Sequence, residues 1–107
     1  MIATFHLKSG DTSPALLYRL DPAVNLAGAT VVFNMRPRGG GTVVVDREAA
    51  SIEGDPGNGV VRYDWDAADT ANAGRFEAEF EVTYADGAVE TFPNDGFIIV
   101  QIGPDIG

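Results

Sequence analysis

The stretch GRFEAEFEVTYADGAVETFPNDG, residues 74–96, decides the fold class because its apolar and charged residues alternate. Apolar side chains recur at every second position of residues 76–84. The charged residues between them are Glu77, Glu79 and Glu81. Strand geometry sends the two sets to opposite faces of a sheet, whereas a helix would scatter them around its circumference. The dipeptide Asp86-Gly87 tolerates a tight reversal, so the stretch predicts a β-hairpin.

Similar alternation elsewhere predicts further strands, separated by turn formers such as Gly39-Gly40-Gly41 and GDPGNG at 54–59. The predicted strands are 2–7, 15–20, 30–36, 42–45 with a short extension at 51–52, 60–65, 75–84, 88–92 and 97–102. The segment DAADTANA, 66–73, predicts about two turns of helix, with Asp66 as its N-cap and Gly74 as its end. Seven or eight short strands, spaced about ten residues apart, predict an all-β sandwich or barrel.

Length and composition predict one globular domain. The chain has 107 residues, 45% of them hydrophobic and 21% charged, which suits a single domain over 1–107. The segments 1–7 and 103–107 are short enough to extend as arms. No run approaches the roughly 20 apolar residues that span a bilayer, so we expect a soluble protein without a membrane partner.

The charge and the cysteine count exclude several classes of function. A formal charge of −9 repels phosphate backbones and anionic lipid, so a nucleic-acid partner is not expected. Without cysteine there is no disulfide, thiol nucleophile or thiolate metal site. The opening MIATFHLKSGD lacks the apolar core of a secretory signal, so we expect synthesis in the cytoplasm and a chain that starts at Met1.

The row of Glu77, Glu79 and Glu81 is the first candidate site. Paired carboxylates can act as general acid and base or bind hard cations. Residues two apart on a strand lie roughly 6 to 7 Å apart, however, so their oxygens do not converge on one ion. A solvated sheet face that opposes edge aggregation is the favoured interpretation. A docking face for a basic partner and a catalytic site are the alternatives.

A metal site at Asp64, Asp66 and Asp69 is a weaker prediction. The segment YDWDAAD, 63–69, lacks the glycine and the terminal glutamate of an EF-hand loop. Turn formation and helix capping explain the three aspartates better, so we expect no bound metal and no other cofactor.

Other candidate chemistry is sparse. The single histidine, His6, accompanies the three serines Ser9, Ser13 and Ser51, and none of them lies in a GxSxG-like elbow. We therefore predict no enzyme activity. Aromatic residues at alternating positions predict core rather than a carbohydrate platform. These residues are Tyr63, Trp65, Phe76 and Phe80.

The last predicted strand is apolar on both faces apart from Gln101, which indicates burial on both sides or packing on a partner. The candidate partner-binding residues there are Phe97, Ile98, Ile99, Val100 and Ile102. The two terminal segments could also add strands to the sheet edge of a partner.

Three segments together resemble the N-terminal domain of phage baseplate upper proteins. The first is KSGDTSPALLYRL, 8–20, the second is LAGATVVFNMRP, 26–37, and the third runs from residue 57 to 100. The resemblance spans roughly residues 8–102, and its most specific pieces are Gly10-Asp11-Thr12, Leu26-x-Gly28-Ala29-Thr30 and the hairpin that ends in Phe92-Pro93-Asn94. It implies an immunoglobulin-like antiparallel β-sandwich that attaches to the virion by its surface, without catalysis.

The resemblance implies a structural protein of a tailed phage. We expect it to be made in the bacterial cytoplasm and to be oligomeric or present in many copies on the particle. Longer baseplate proteins continue into fibre-forming or receptor-associated regions, whereas this sequence ends at Gly107. We therefore expect a decoration, stabilising or adaptor subunit on the capsid or neck, bound to other virion proteins. The alternatives are a tail or baseplate attachment module and a glycan-binding module for host adhesion.

Overall fold

A computed structural model describes residues 4–106 and confirms the all-β fold class. The strands are β1 (Thr4–Lys8), β2 (Leu16–Arg19), β3 (Thr30–Pro37), β4 (Val45–Ile52), β5 (Val60–Tyr63), β6 (Gly74–Thr83), β7 (Val89–Phe92) and β8 (Ile98–Gly103). Single turns of 3-10 helix occupy Pro56–Asn58 and Ala67–Thr70. The prediction that the first strand includes residues 2–3 lies outside the described residues.

The strands form one continuous sheet that folds over on itself into two layers. Its order is β1-β8-β6-β3-β4-β5-β2, with β7 beside β6. The strand β4 pairs with β3 in one layer and with β5 in the other, so it forms the corner between them. All described pairings are antiparallel except that of β1 with β8, which is parallel. The predicted antiparallel all-β fold is confirmed, and this one parallel pair is its exception.

The predicted hairpin is present between β6 and β7. The backbone N–H of Tyr84 donates to the carbonyl of Ala88 at 2.8 Å, and the N–H of Gly87 donates to the carbonyl of Tyr84 at 2.9 Å. Gly87 has φ +91°, in the region that favours glycine. The Asp86 carboxylate accepts from the N–H of Ala88 at 2.9 Å and fixes the turn.

The prediction for β4 is wrong in its boundaries. The sequence predicts a strand at 42–45 and a short extension of it at 51–52. The structure instead has one strand from Val45 to Ile52. Its middle is charged and exposed, so it lacks the alternation that reveals a strand in sequence. Arg47 also interrupts the regular register with φ +52°, and its N–H donates to Asn34 Oδ1 at 2.8 Å.

The predicted helix over 66–73 is a single 3-10 turn, Ala67–Thr70, with Asp66 at its N-cap position. The Asp69 carboxylate accepts from the backbone N–H of Asp66 at 2.9 Å and tightens the turn. Gly74 does not end a helix, because it opens β6 and pairs with Ile102 of β8.

Aromatic rings join the two layers at the centre of the core. The Phe33 ring lies 4.3 Å from that of Tyr63, 4.9 Å from that of Phe80 and 5.6 Å from that of Trp65, measured between centroids. The prediction that the alternating aromatic residues form core is confirmed, because Tyr63, Trp65, Phe76 and Phe80 are all buried. These contacts pack the β3–β6 pair against β5, and the outer face of that pair carries the acidic row.

Candidate functional site

The apolar residues of the last strand lie in the core of this chain. Ile98, Val100 and Ile102 are buried and belong to the main hydrophobic cluster, and Ile99 on the other face of β8 is buried as well. The strand is central, between β6 and β1, so its neighbours cover it on both edges. The sequence left open whether this strand is buried on both sides or packs on a partner. The burial of these four side chains within the chain supports the first alternative and leaves them unavailable for an outward contact. Only Phe97, just before β8, stays partly exposed.

The acidic row projects from the outer face of β6. Its three glutamates are partly exposed and alternate with the buried residues of the strand. Glu77 pairs with Arg36 on β3, with 3.2 Å between Oε1 and Nε, and Glu81 pairs with Arg47, with 2.8 Å between Oε1 and Nη1. The Arg36 guanidinium also lies over the Phe97 ring, 5.2 Å from its centroid. The two outer carboxylates are thus neutralised by arginines of the same chain.

Glu79, the middle residue of the row, makes no ion pair within residues 4–106. It lines an open groove of about 410 Å³ on the outer face of the sheet. The groove is also lined by Asn34, Met35, Arg36, Val43, Asp46, Glu77 and Phe97. Val43 is roughly half exposed, and Asp46 is exposed and makes no ion pair in the described chain either. We call this surface the outer groove.

The three candidate metal-ligating aspartates serve other partners. The Asp69 carboxylate accepts from the Tyr63 hydroxyl at 2.6 Å, while Asp64 pairs with Arg62 at 3.0 Å. Asp66 lies at the start of the 3-10 turn. Among the described residues, no group of three acidic or histidine side chains is arranged to hold a metal ion. Burial and the hydrogen bond to Asp69 raise the pKa of Tyr63 far above its usual value of 10.0.

The histidine and the serines do not form a catalytic couple. His6 is exposed on β1 and lines a shallow cleft of about 370 Å³ that also includes Asp11 and Ser13. No hydrogen bond joins these three side chains, and the Ser9 hydroxyl donates instead to the carbonyl of Ala71 at 2.6 Å. Residues 11–13 lie beside β1 because the chain turns directly after it, where the N–H of Asp11 donates to the carbonyl of Lys8 at 3.0 Å.

The outer groove was only partly predictable from sequence. The alternation identifies Glu77, Glu79 and Glu81 as neighbours on one face, and Phe97 was among the candidate partner residues. Val43 was missed because it follows a glycine run before β4, and Asp46 was missed because it lies in the irregular first part of β4. Their positions in the sequence do not indicate that they line the same groove as the glutamates of β6. The strands β4 and β6 are not neighbours, because β3 lies between them.

Folds of this two-layered β kind host many unrelated functions, so the fold alone does not assign one to this chain. Residues 21–99 match the BppU N-terminal domain, so the chain belongs to that family. The family comprises N-terminal domains of phage baseplate upper proteins, which are structural components of the particle. The resemblance stated from the sequence is confirmed by this match.

Among solved structures, the chain is similar to the crystal structure of CopC from Methylosinus trichosporium OB3b. The two share 18% sequence identity, the match covers 98% of this chain and 88% of that chain, and the TM-score is 0.56. At this identity the likeness shows the fold alone. No curated protein sequence matches this chain significantly. The described region contains no helix that is long and apolar enough to cross a membrane.

Proposed function

We propose that this chain is a non-enzymatic structural subunit of a tailed-phage particle, which attaches by its surface to other virion proteins. Membership of the BppU N-terminal domain family carries this proposal. The matched region, 21–99, runs from the end of β2 to the start of β8. It therefore includes strands of both layers and all the residues that line the outer groove.

Two positions on the particle are compatible with this function. A decoration or adaptor subunit would sit on the capsid or neck in many copies, and an attachment module would sit in the tail or baseplate. Family membership supports the tail or baseplate, because the family is defined by baseplate proteins. An adaptor there would join two virion proteins without chemistry of its own.

The arrangement of side chains supports attachment over catalysis or glycan binding. Nucleophilic catalysis by serine needs the hydroxyl within hydrogen-bond reach of a base, and His6 has no such contact with Ser9 or Ser13. A glycan platform needs exposed aromatic faces, whereas Tyr63 and Trp65 are buried between the layers. The outer groove instead combines charge with an apolar wall, as partner surfaces commonly do.

The test is cryo-electron microscopy of the intact particle, with mass spectrometry of purified particles as the check that the chain is present. We expect density for a two-layered sheet with extents near 45 × 27 × 24 Å at the tail or baseplate. Density repeated over the capsid lattice would support decoration and refute the baseplate position. Purified particles that lack the chain altogether would refute a structural role in the virion.

A further inference from the structure

We propose that the outer groove binds an arginine or lysine side chain presented by a neighbouring protein, with Glu79 as its principal acceptor. This inference rests on the proposed function, because it supplies the chemistry by which the subunit would hold a virion partner. It concerns one occupant, a basic side chain with an aliphatic stem, and it excludes a bare metal ion as the intended ligand.

The first argument is the pattern of charge along β6. Glu77, Glu79 and Glu81 stand in a row, about 6 to 7 Å from one to the next, and the chain supplies arginines to the first and the third. The middle carboxylate has no cationic partner in the part of the chain that the structure describes. A guanidinium or ammonium group from another protein could pair with Glu79, as Arg36 pairs with Glu77 and Arg47 pairs with Glu81.

The second argument is the composition of the groove walls. Val43 and Phe97 offer apolar surface at the rim, and Met35 is buried beneath. Long basic side chains lay their methylene stems on such surface while the charged head reaches a carboxylate. Asp46 and Glu79 both line the groove without an intrachain ion pair, so its free charge is negative.

The third argument is that the same groove already binds an arginine side chain of its own chain. Arg36 pairs with Glu77 through Nε and covers the Phe97 ring with its guanidinium. The groove therefore already holds one arginine by a carboxylate and an aromatic face, the two contacts that recognise guanidinium groups. The groove also offers the carboxylate of Glu79 and the aliphatic side chain of Val43, with no arginine of the described chain paired to that carboxylate.

The fourth argument is rigidity. The strands β3 and β6 pair continuously from Thr30↔Thr83 to Pro37↔Phe76, which places Glu79 opposite Asn34 and Glu77 opposite Arg36. Asn34 is held in turn by the N–H of Arg47 at 2.8 Å. The backbone that carries Glu79 is therefore ordered before binding, so docking does not require the strand itself to become ordered.

The groove itself is tested by nuclear magnetic resonance titration of the 15N-labelled chain. The probe is N-acetyl-arginine amide, and the matched control is N-acetyl-citrulline amide, which has a similar shape without the charge. We expect amide shifts confined to residues around Glu79, Val43 and Phe97 with the arginine probe only, and weaker shifts at high salt. Equal shifts with citrulline, or shifts elsewhere, would overturn the proposal.

Two variants distinguish a specific role of Glu79 from a general effect of negative charge. Glu79→Gln removes the free acceptor. Glu53→Gln makes the same chemical change in the other layer of the sheet, away from the outer groove. Glu53 is partly exposed, and its Oε1 lies 3.8 Å from Nη1 of Arg62. We expect Glu79→Gln to abolish the arginine-dependent shifts and Glu53→Gln to retain them. Unchanged shifts in a folded Glu79→Gln variant would refute the role of Glu79.

Binding to particles that lack the chain distinguishes this inference from the proposed function. If the wild-type chain binds such particles, we expect Glu79→Gln to bind about tenfold more weakly and Glu53→Gln to bind normally. Equal binding by wild type and Glu79→Gln would overturn the groove proposal and leave the structural function standing. If the wild type does not bind, the proposed function fails, and the titration still decides what the groove binds.

Discussion

The ring of Phe33 stacks on the ring of Tyr63, with 4.3 Å between centroids and 16° between planes. The two residues belong to β3 and β5, which lie in different layers and share no backbone pairing. This contact therefore holds the layers together through side chains alone. Phe33 lies on β3, the strand that also carries Arg36 and Asn34 of the outer groove.

Truncation of Phe33 is expected to be among the most destabilising single changes. The side chain is fully buried and contacts three other aromatic rings. Phe33→Ala should lower the free energy of unfolding by about 3 to 5 kcal/mol, measured by urea denaturation. The control is Leu17→Ala, at a roughly half-exposed position on β2. A similar loss in both variants would contradict the central role of Phe33.

The hydroxyl of Tyr63 is expected to stabilise the fold through Asp69. Tyr63→Phe leaves the ring stack intact and removes the 2.6 Å hydrogen bond. The loss should be about 1 to 2 kcal/mol in urea denaturation, because a charged acceptor loses one donor. Tyr18→Phe is the matched control, since its hydroxyl makes no side-chain hydrogen bond in the described structure. An effect of Tyr18→Phe as large as that of Tyr63→Phe would argue against the hydrogen bond.

Stability is expected to fall at alkaline pH because of Tyr63 and Tyr84. Burial and the hydrogen bond to Glu90 raise the pKa of Tyr84 to about 12 from 10.0, and burial raises that of Tyr63 further. Above pH 10 these groups ionise in the unfolded chain while they stay protonated in the folded chain. The unfolded state then binds fewer protons, so the free energy of unfolding decreases as pH rises.

Tyr84→Phe tests the assignment of this alkaline effect. The variant should lose stability less steeply than the wild type between about pH 10 and pH 12, and Tyr63→Phe should do the same over a wider range. Thermal unfolding followed by circular dichroism at a series of pH values measures both slopes. Identical slopes in wild type and both variants would show that other groups cause the alkaline loss.

Arg47 is expected to tolerate glycine better than valine. Its φ of +52° lies in the left-handed region, where a β-branched side chain adds strain of about 1 to 3 kcal/mol. Arg47→Gly relieves the backbone and removes only an exposed ion pair with Glu81, so unfolding should change by less than about 1 kcal/mol. Chemical denaturation of both variants gives the comparison. A glycine variant less stable than the valine variant would contradict the backbone argument.

The sequence determined the fold class because successive side chains of a strand point to opposite faces, so a half-buried strand shows alternating apolar and polar residues. The β6–β7 hairpin, the aromatic core and the outward glutamates all follow from a period of two and one turn dipeptide. Such local patterns fail where a strand is exposed and irregular. For that reason β4 was misplaced, and its charged middle, which carries Asp46, gave no signal of a strand beside the outer groove.

Only the tertiary structure decided which apolar surface is inside and which carboxylate is free. Ile98, Val100 and Ile102 look the same in sequence whether they face the core of the chain or a partner, and their packing in the main hydrophobic cluster resolves the ambiguity. Likewise the three glutamates of β6 are equivalent in sequence. Arginines at residues 36 and 47 separate Glu79 from its neighbours, because the pairing of β3 with β4 and β6 brings them to the ends of the row.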